Sequence, residues 1–251
     1  MTFISPQTVT ANTHAKEYIV NYWHKRAADF SQLRQRELHS AKAELWQQEI
    51  CRHLPMGKSL HILDIGCGAG FFTILLSKLQ HKVTGIDLTP NMIEGAKNLA
   101  AQENTTAEFL VMDAESTNFP SESFDVIIAR NLMWNLPHPA KAYQEWLRLL
   151  KKDGLLLNYD AEYAKNHHST AAAGAHADIV PELLEECHNI YHMLPISCYD
   201  RPLWDKQLLQ SLGCQSIELD FSVNNTIYSN NDEFSTAVPM FCVKATKSWL
   251  A

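Results

Sequence analysis

Residues 61–72, "HILDIGCGAGFF", restrict the fold of this chain more than any other stretch. A short apolar run reaches an acid, passes through three alternate glycines and turns apolar again. The pattern predicts a strand that enters a glycine turn and leaves it as a helix. Glycine lets a backbone come close to a ligand, and turns between a strand and a helix hold nucleotides.

The alternation continues from Ser59 onward. "LHILDI" reads as a strand, "FFTILLSKLQ" as a helix and "HKVTGID" as a strand, with a helix starting at Pro90. "AEFLVMDA" and "FDVIIARN" are further strands, a helix starts at Pro139, Asp153-Gly154 makes a turn and "LLLNYDA" is a strand. Short strands alternating with amphipathic helices predict a parallel sheet covered on both faces. Ahead of it, residues 14 to about 53 contain no Gly or Pro and carry Tyr18, Tyr22, Leu38, Ala41 and Leu45 at helical spacing. The pattern fails between Ala164 and Pro202, where a small-residue loop, "STAAAGAHAD", precedes a helix-like run, "PELLEECHNIYHML". It resumes with the helix "LWDKQLLQSLG" and the strand "SIELDFSV". An Asn-rich loop leads to a last strand, and with no helix between them the last two strands are expected to be antiparallel neighbours.

The glycines decide between nucleotides. The dinucleotide fingerprint is G-x-G-x-x-G. Gly66 and Gly68 fit its first two positions, but the third falls on Phe71 and the third glycine is Gly70. A bulky residue at that place opposes the close helix–strand packing of a dinucleotide fold. Asp64, two residues before the first glycine, would repel a pyrophosphate and suits a ligand with an ammonium group. Cys67 sits inside the turn, where a small residue suffices, and reads as packing, not as a nucleophile.

"LDIGCGAG" resembles the glycine motif of class I S-adenosylmethionine-dependent methyltransferases, and three more motifs fall in that family's order. The resemblance covers residues 59–161 strongly and the final strands by topology. It implies cofactor contacts from Asp64, Gly66, Cys67, Gly68 and Gly70. "GIDLTPNMIEGAK" places Asp87 where the family's acid accepts both ribose hydroxyls, with Leu88 and Met92 beside it. "VMDAES" places Asp113 and Ala114 where the adenine edge is read, and "FPSESFDVIIARNLMWNLPHP" places Asn131 near the sulfonium. "NYWHKRAADF" is similar to an N-terminal helix that closes over the cofactor, with Tyr22 and Trp23 at the methionine moiety and Arg26 reaching its carboxylate.

The implied fold is a seven-stranded, mostly parallel Rossmann-like sheet with an antiparallel last strand, helices on both faces and a helical cap. The expected organisation is a helical cap over 1–58, a cofactor-binding core over 59–163, a cap or lid insertion over 164–202 and completion of the sheet over 203–251.

The implied cofactor is S-adenosylmethionine and the implied reaction is in-line methyl transfer to a small-molecule acceptor. Cofactor use for aminocarboxypropyl transfer or cyclisation, and a non-catalytic binding module, are the alternatives. Asn131-Leu132-Met133-Trp134 lacks the two prolines of enzymes that methylate amino groups of nucleic-acid bases. Asn131 also departs from the acid that metal-dependent catechol methyltransferases carry there. The acceptor is expected against Trp134 and the insertion, whose His167, His168 and His176 are substrate-side candidates. One of these could serve as a general base. Their spacing, with Asp178, matches no standard metal motif, and no metal is expected.

Bulk properties agree. The chain has 251 residues, 46% of them hydrophobic, enough for one sizeable core. A net charge of -7 and the lack of a basic stripe argue against nucleic acid; "RQRELHSAK" is interrupted by Glu37 and reads as a solvated helix face. Six scattered cysteines without C-x-x-C read as reduced thiols in a cytoplasmic protein. No signal peptide is expected, and no apolar run approaches the ~18 residues of a membrane span.

Overall fold

The computed structural model describes residues 14–163, 179–229, 232–235 and 238–247. The N-terminal segment is two helices, α1 (Ala15–Leu38) and α2 (Ala41–Cys51). Where continuous periodicity predicts one helical stretch, Ser40 divides it. Its hydroxyl accepts from the Lys42 N–H at 3.1 Å and donates to the Glu37 carbonyl, the behaviour of a helix N-cap.

The alternating segment folds as β1 (His61–Ile65), α3 (Phe71–Lys78), β2 (Lys82–Asp87), α4 (Pro90–Gln102), β3 (Glu108–Val111), β4 (Phe124–Arg130), α5 (Pro139–Leu149) and β5 (Leu150–Ala161). Then come α6 (Pro181–Met193), α7 (Leu203–Ser211), β6 (Ser216–Asp220), a short α8 (Val223–Ile227) and β7 (Met240–Thr246). The seven strands form one sheet of order β3-β2-β1-β4-β5-β7-β6. Only β7 runs against the rest, paired antiparallel to both β5 and β6.

Two local expectations are corrected. The Asn-rich loop contains α8, because Val223 and Ile227, four residues apart, are both fully buried and turn one helical face onto α2. Asp153-Gly154 lies inside β5, not before it: Leu150 already pairs with Phe124, and the register shifts before Val126. Asp153 takes a φ of 58° at that irregularity.

The central strands are apolar along their whole length, as strands covered on both faces must be. In β4, Val126, Ile127, Ile128 and Ala129 are each at most 1% exposed. One core layer joins the sheet to α5, α6, α7 and the start of α1, and the other joins it to α2, α3, α4 and α8. β1 and β4 are neighbours, and from that pair the chain winds outward both ways, to β2 and β3 on one side and β5 on the other. The strand ends at such a switch point leave a crevice, where open α/β sheets bind ligands. No helix among the described residues is long and apolar enough to cross a membrane.

Candidate ligand-binding site

The crevice is a deep cavity, roofed by α1 and α6. The glycine turn forms its floor. Gly66, Gly68 and Gly70 take φ of 68°, 51° and 86°, a left-handed backbone that side chains resist. A Cβ on Gly66 would lie 2.6 Å from the Leu132 side chain, while one on Gly68 would meet only the Phe30 ring at 3.4 Å. Gly70 has a different role from the first two. It does not line the cavity, and its missing Cβ makes room for Phe109 and Ala96, so it serves helix–sheet packing. Phe71 lines the cavity with its ring.

Three acids stand at the strand ends. Asp87 closes β2 and accepts the Gly68 N–H on Oδ2 at 3.0 Å and the Thr89 N–H on Oδ1 at 2.8 Å. Asp87 also lines the cavity. Asp64 is 2% exposed and takes both its bonds, from the Thr73 N–H and hydroxyl, on Oδ2. Burial pushes its carboxyl up to about 7, the Thr73 bonds oppose this and the nearby Asp87 charge adds to it. Asp113 bonds the Glu115 N–H through Oδ1 and Lys16 Nζ through Oδ2, at 2.9 and 2.5 Å. Lys16 also pairs with Glu115 at 2.6 Å, which ties the start of α1 to this end of the cavity. Ala114 is fixed beside them by its carbonyl, which accepts the Trp146 indole N–H at 2.9 Å.

Cys67 lines the cavity as a buried thiol. Burial first, with the charges of Asp64 and Asp87, pushes it well above the usual thiol range, so it is no nucleophile. Leu88 and Met92 also line the cavity. Asn131 follows β4 at a φ of 56°, and its Oδ1 accepts the Tyr163 hydroxyl at 2.8 Å.

The far end is aromatic. Trp134 sits 5.0 Å from Tyr191, 5.7 Å from Tyr163 and 6.3 Å from Trp23, ring centre to ring centre. Trp23 in turn meets Phe30 at 5.4 Å. Cys187, His188 and Leu184 of α6 complete this wall.

Two residues of α1 are misplaced by the sequence reading. Tyr22 and Arg26 do not line the cavity. Tyr22 is fully buried, Arg26 is 3% exposed, and Arg26 Nη1 donates to the Tyr22 hydroxyl at 3.2 Å. The face that reaches the cavity is Lys16, Ile19, Trp23, Phe30 and Arg34. Those positions share one helical stripe, which Tyr22 misses by one residue, about 100° of rotation. The 3.6-residue period separates Tyr22 from the expected Trp23 but keeps Arg26 on the stripe, so only packing, with Arg26 bonded to Tyr22, takes it off the cavity. Arg34, Arg130, Tyr163, Tyr191 and His188 carried no expectation, although Arg130 lies inside the quoted fourth-strand stretch next to Asn131. His167, His168, His176 and Asp178 lie outside the described residues. The one group of ligand-type side chains close enough to hold a metal, among the described residues, is Glu49, His53 and Asp220. Arg52 already bonds both of its acids, which makes it an ion-pair network.

Residues 63–158 match the family model described as "Methyltransferase domain". Among curated proteins, the chain is similar to the ubiquinone biosynthesis O-methyltransferase of Coxiella burnetii, 32% identical over 99 residues, which cover 39% of this chain and 42% of that one. It is also similar to the 2-methyl-6-phytyl-1,4-hydroquinone methyltransferase of Synechocystis, 36% identical over 108 residues, 43% of this chain and 33% of that one. Both matches thus span less than half of the relative's length. A Methanococcus maripaludis structure superposes with a TM-score of 0.62 at 16% identity, covering 92% of this chain and 95% of that one. The Haemonchus contortus phosphoethanolamine N-methyltransferase 2 in complex with S-adenosyl-L-methionine gives 0.56 at 19% identity, covering 81% of this chain and 53% of that one. At such identities the structures establish the shared fold.

Proposed function

We propose, from the match of residues 63–158 to a methyltransferase domain, that this chain belongs to the class I S-adenosylmethionine-dependent methyltransferases and transfers the cofactor's methyl group to a small-molecule acceptor. The observation that carries the reading is the junction of Gly68 and Asp87 at the switch point, where a backbone N–H holds a carboxylate and both residues line the cavity. Such a pair fits a ribose diol and not a pyrophosphate.

The rest of the donor set fits the same cofactor. Asp87 accepts the ribose hydroxyls, and Asp113 with Ala114 reads the adenine edge. Asp64 receives the ammonium of the methionine arm, with Gly66 and Gly68 giving it close backbone passage. Leu88 and Met92 pack against the nucleoside. Asn131, its amide held by Tyr163, stands beside the sulfur.

When bound, the cofactor supplies the electrophilic methyl; the chain supplies alignment and a dry site. Trp23, Trp134, Tyr163 and Tyr191 exclude water and offer flat faces to an aromatic acceptor. The hydroquinone in the Synechocystis relative's name suits that chamber. No carboxylate lines its aromatic end among the described residues, so a neutral ring is favoured over a cationic amine. Within the expected lid insertion, α6 covers the cavity on this side, and residues 164–178 lie outside the described residues. Free thiols at all six cysteines support a reducing, cytoplasmic setting, and the acidic charge supports an acceptor other than nucleic acid.

The test is incubation of the whole chain with S-adenosylmethionine and a panel of hydroquinones and catechols. Formation of S-adenosylhomocysteine with a methylated acceptor is the expected result. Methylthioadenosine as product would replace methyl transfer by use of the aminocarboxypropyl arm. Failure to bind S-adenosylhomocysteine in calorimetry would sink the reading.

A further inference from the structure

Two cavity-lining cations take no part in the site described so far. Arg34 comes from α1 and Arg130 ends β4. Their side chains are 6% and 9% exposed, and both are tied to one carboxylate, Glu37, which is fully buried. Arg130 forks onto it, Nη1 to Oε1 at 3.0 Å and Nη2 to Oε2 at 2.8 Å, and Arg34 Nη1 donates to Oε2. Rings close in from the other sides. Phe30 lies 4.5 Å from the Arg34 guanidinium, and Phe71, Phe72 and Trp46 lie 4.7, 5.0 and 5.2 Å from that of Arg130.

The charges do not balance. Two guanidiniums share one carboxylate, an excess of one positive charge. The next cation, Lys42, is matched by Asp232 at 3.0 Å and does not change the sum. Burial pushes the Glu37 carboxyl up and Arg34 pulls it down; protonation would enlarge the positive excess. Among the described residues the buried Nε of Arg34 has no hydrogen-bond partner. A buried cation with an unmet donor is costly unless something answers it. Both side chains line the cavity, so a ligand can. Guanidinium forks match the planar geometry of a carboxylate.

We propose that Arg34 and Arg130 form a carboxylate-binding site in the cavity, with Glu37 as the positioning residue that holds both guanidiniums. The carboxylate belongs either to the amino-acid arm of the cofactor or to the acceptor. The first source has support in Phe30, which touches both Arg34 and the space over Gly68. The second has support in Arg130, the immediate neighbour of Asn131. The cofactor source rests on the function proposed above; the acceptor source does not.

Calorimetry on the whole chain separates them. Wild type, Arg34→Gln and Arg130→Gln are titrated with S-adenosylhomocysteine and with methylthioadenosine, which lacks the amino-acid arm. The protein, saturated with S-adenosylhomocysteine where it binds, is then titrated with benzoate and with uncharged benzamide. A loss of tenfold or more for S-adenosylhomocysteine, with methylthioadenosine unchanged, supports the cofactor source. A like loss for benzoate alone supports the acceptor source. Equal losses for every probe, or none, in a variant with wild-type circular dichroism overturn the proposal. Arg34→Gln decides the matter if Arg130→Gln fails to fold, since Arg34 reaches Glu37 from a helix outside the sheet. A wild type that binds neither nucleoside but binds benzoate through Arg34 would defeat the methyltransferase reading and leave the carboxylate site standing.

Discussion

In one half of the cavity Asp64, Gly66, Gly68, Asp87 and Asp113 all lie within a strand or at most three residues past its end. In the other half Trp23, Trp134, Tyr163 and Tyr191 come from α1, the stretch after β4, the stretch after β5 and α6. The first half is made of backbone and short acids held by sheet hydrogen bonds. The second is made of long side chains on elements laid over the sheet. A sheet end fixes where a backbone N–H points, so one cofactor can be held in one pose. Rings on separate helices can be exchanged without disturbing that pose. The difference teaches that cofactor and acceptor recognition should fail independently.

The sharpest way to break this comparison is Asp87→Ala. Charge-assisted hydrogen bonds contribute about 1.5–3 kcal/mol each, so loss of two should weaken S-adenosylhomocysteine by roughly a hundredfold or more in calorimetry. Unchanged affinity in a folded variant would remove Asp87 from the ribose.

Acidity is the next lever. Asp64 titrates near 7 in the folded chain, above its ordinary value of 3.8. Between those values the folded state binds the extra proton, so the contribution of Asp64 to stability falls as pH rises toward 7. Binding of an ammonium runs the other way, because it needs the carboxylate. Cofactor affinity should fall with decreasing pH below about 7, by at most about tenfold per unit, and Asp64→Asn should flatten the slope. A slope that survives in Asp64→Asn assigns it to another group.

On the acceptor side, Trp23→Ala should raise the acceptor KM while leaving cofactor affinity alone. Aromatic contacts are worth about 0.5–1.5 kcal/mol, so the change should be roughly two- to tenfold. A matching loss of cofactor affinity would show that the two halves are one. The smallest effect is expected for Tyr163→Phe, which removes the bond to Asn131. A neutral hydrogen bond is worth about 0.5–1.5 kcal/mol, so kcat should drop by roughly two- to tenfold, with the lower end expected, and KM for the cofactor unchanged. A larger loss would make the Tyr163 hydroxyl a participant in the chemistry.

The strand-end half was legible in the chain itself. A left-handed turn demands glycine, so local chemistry marks Gly66 and Gly68 with Asp64 beside them, and the family resemblance of the next motifs marks Asp87 and Asp113. The alternation of strands and helices likewise determined the parallel sheet and the antiparallel pairing at its end, because burial on both faces leaves a continuous apolar pattern. Other features were decided only by tertiary structure. Which stripe of α1 meets the crevice depends on how α1 rolls against α4 and α6, and a helix amphipathic on more than one side does not announce it; Tyr22 and Trp23 differ by one residue and by a whole role. The meeting of Arg34, Glu37 and Arg130 joins residues 93 apart in the chain, from Glu37 to Arg130. Local sequence carries hydrogen-bonding and conformational preferences, but only the packing of the sheet and helices decides which distant charges share a buried space.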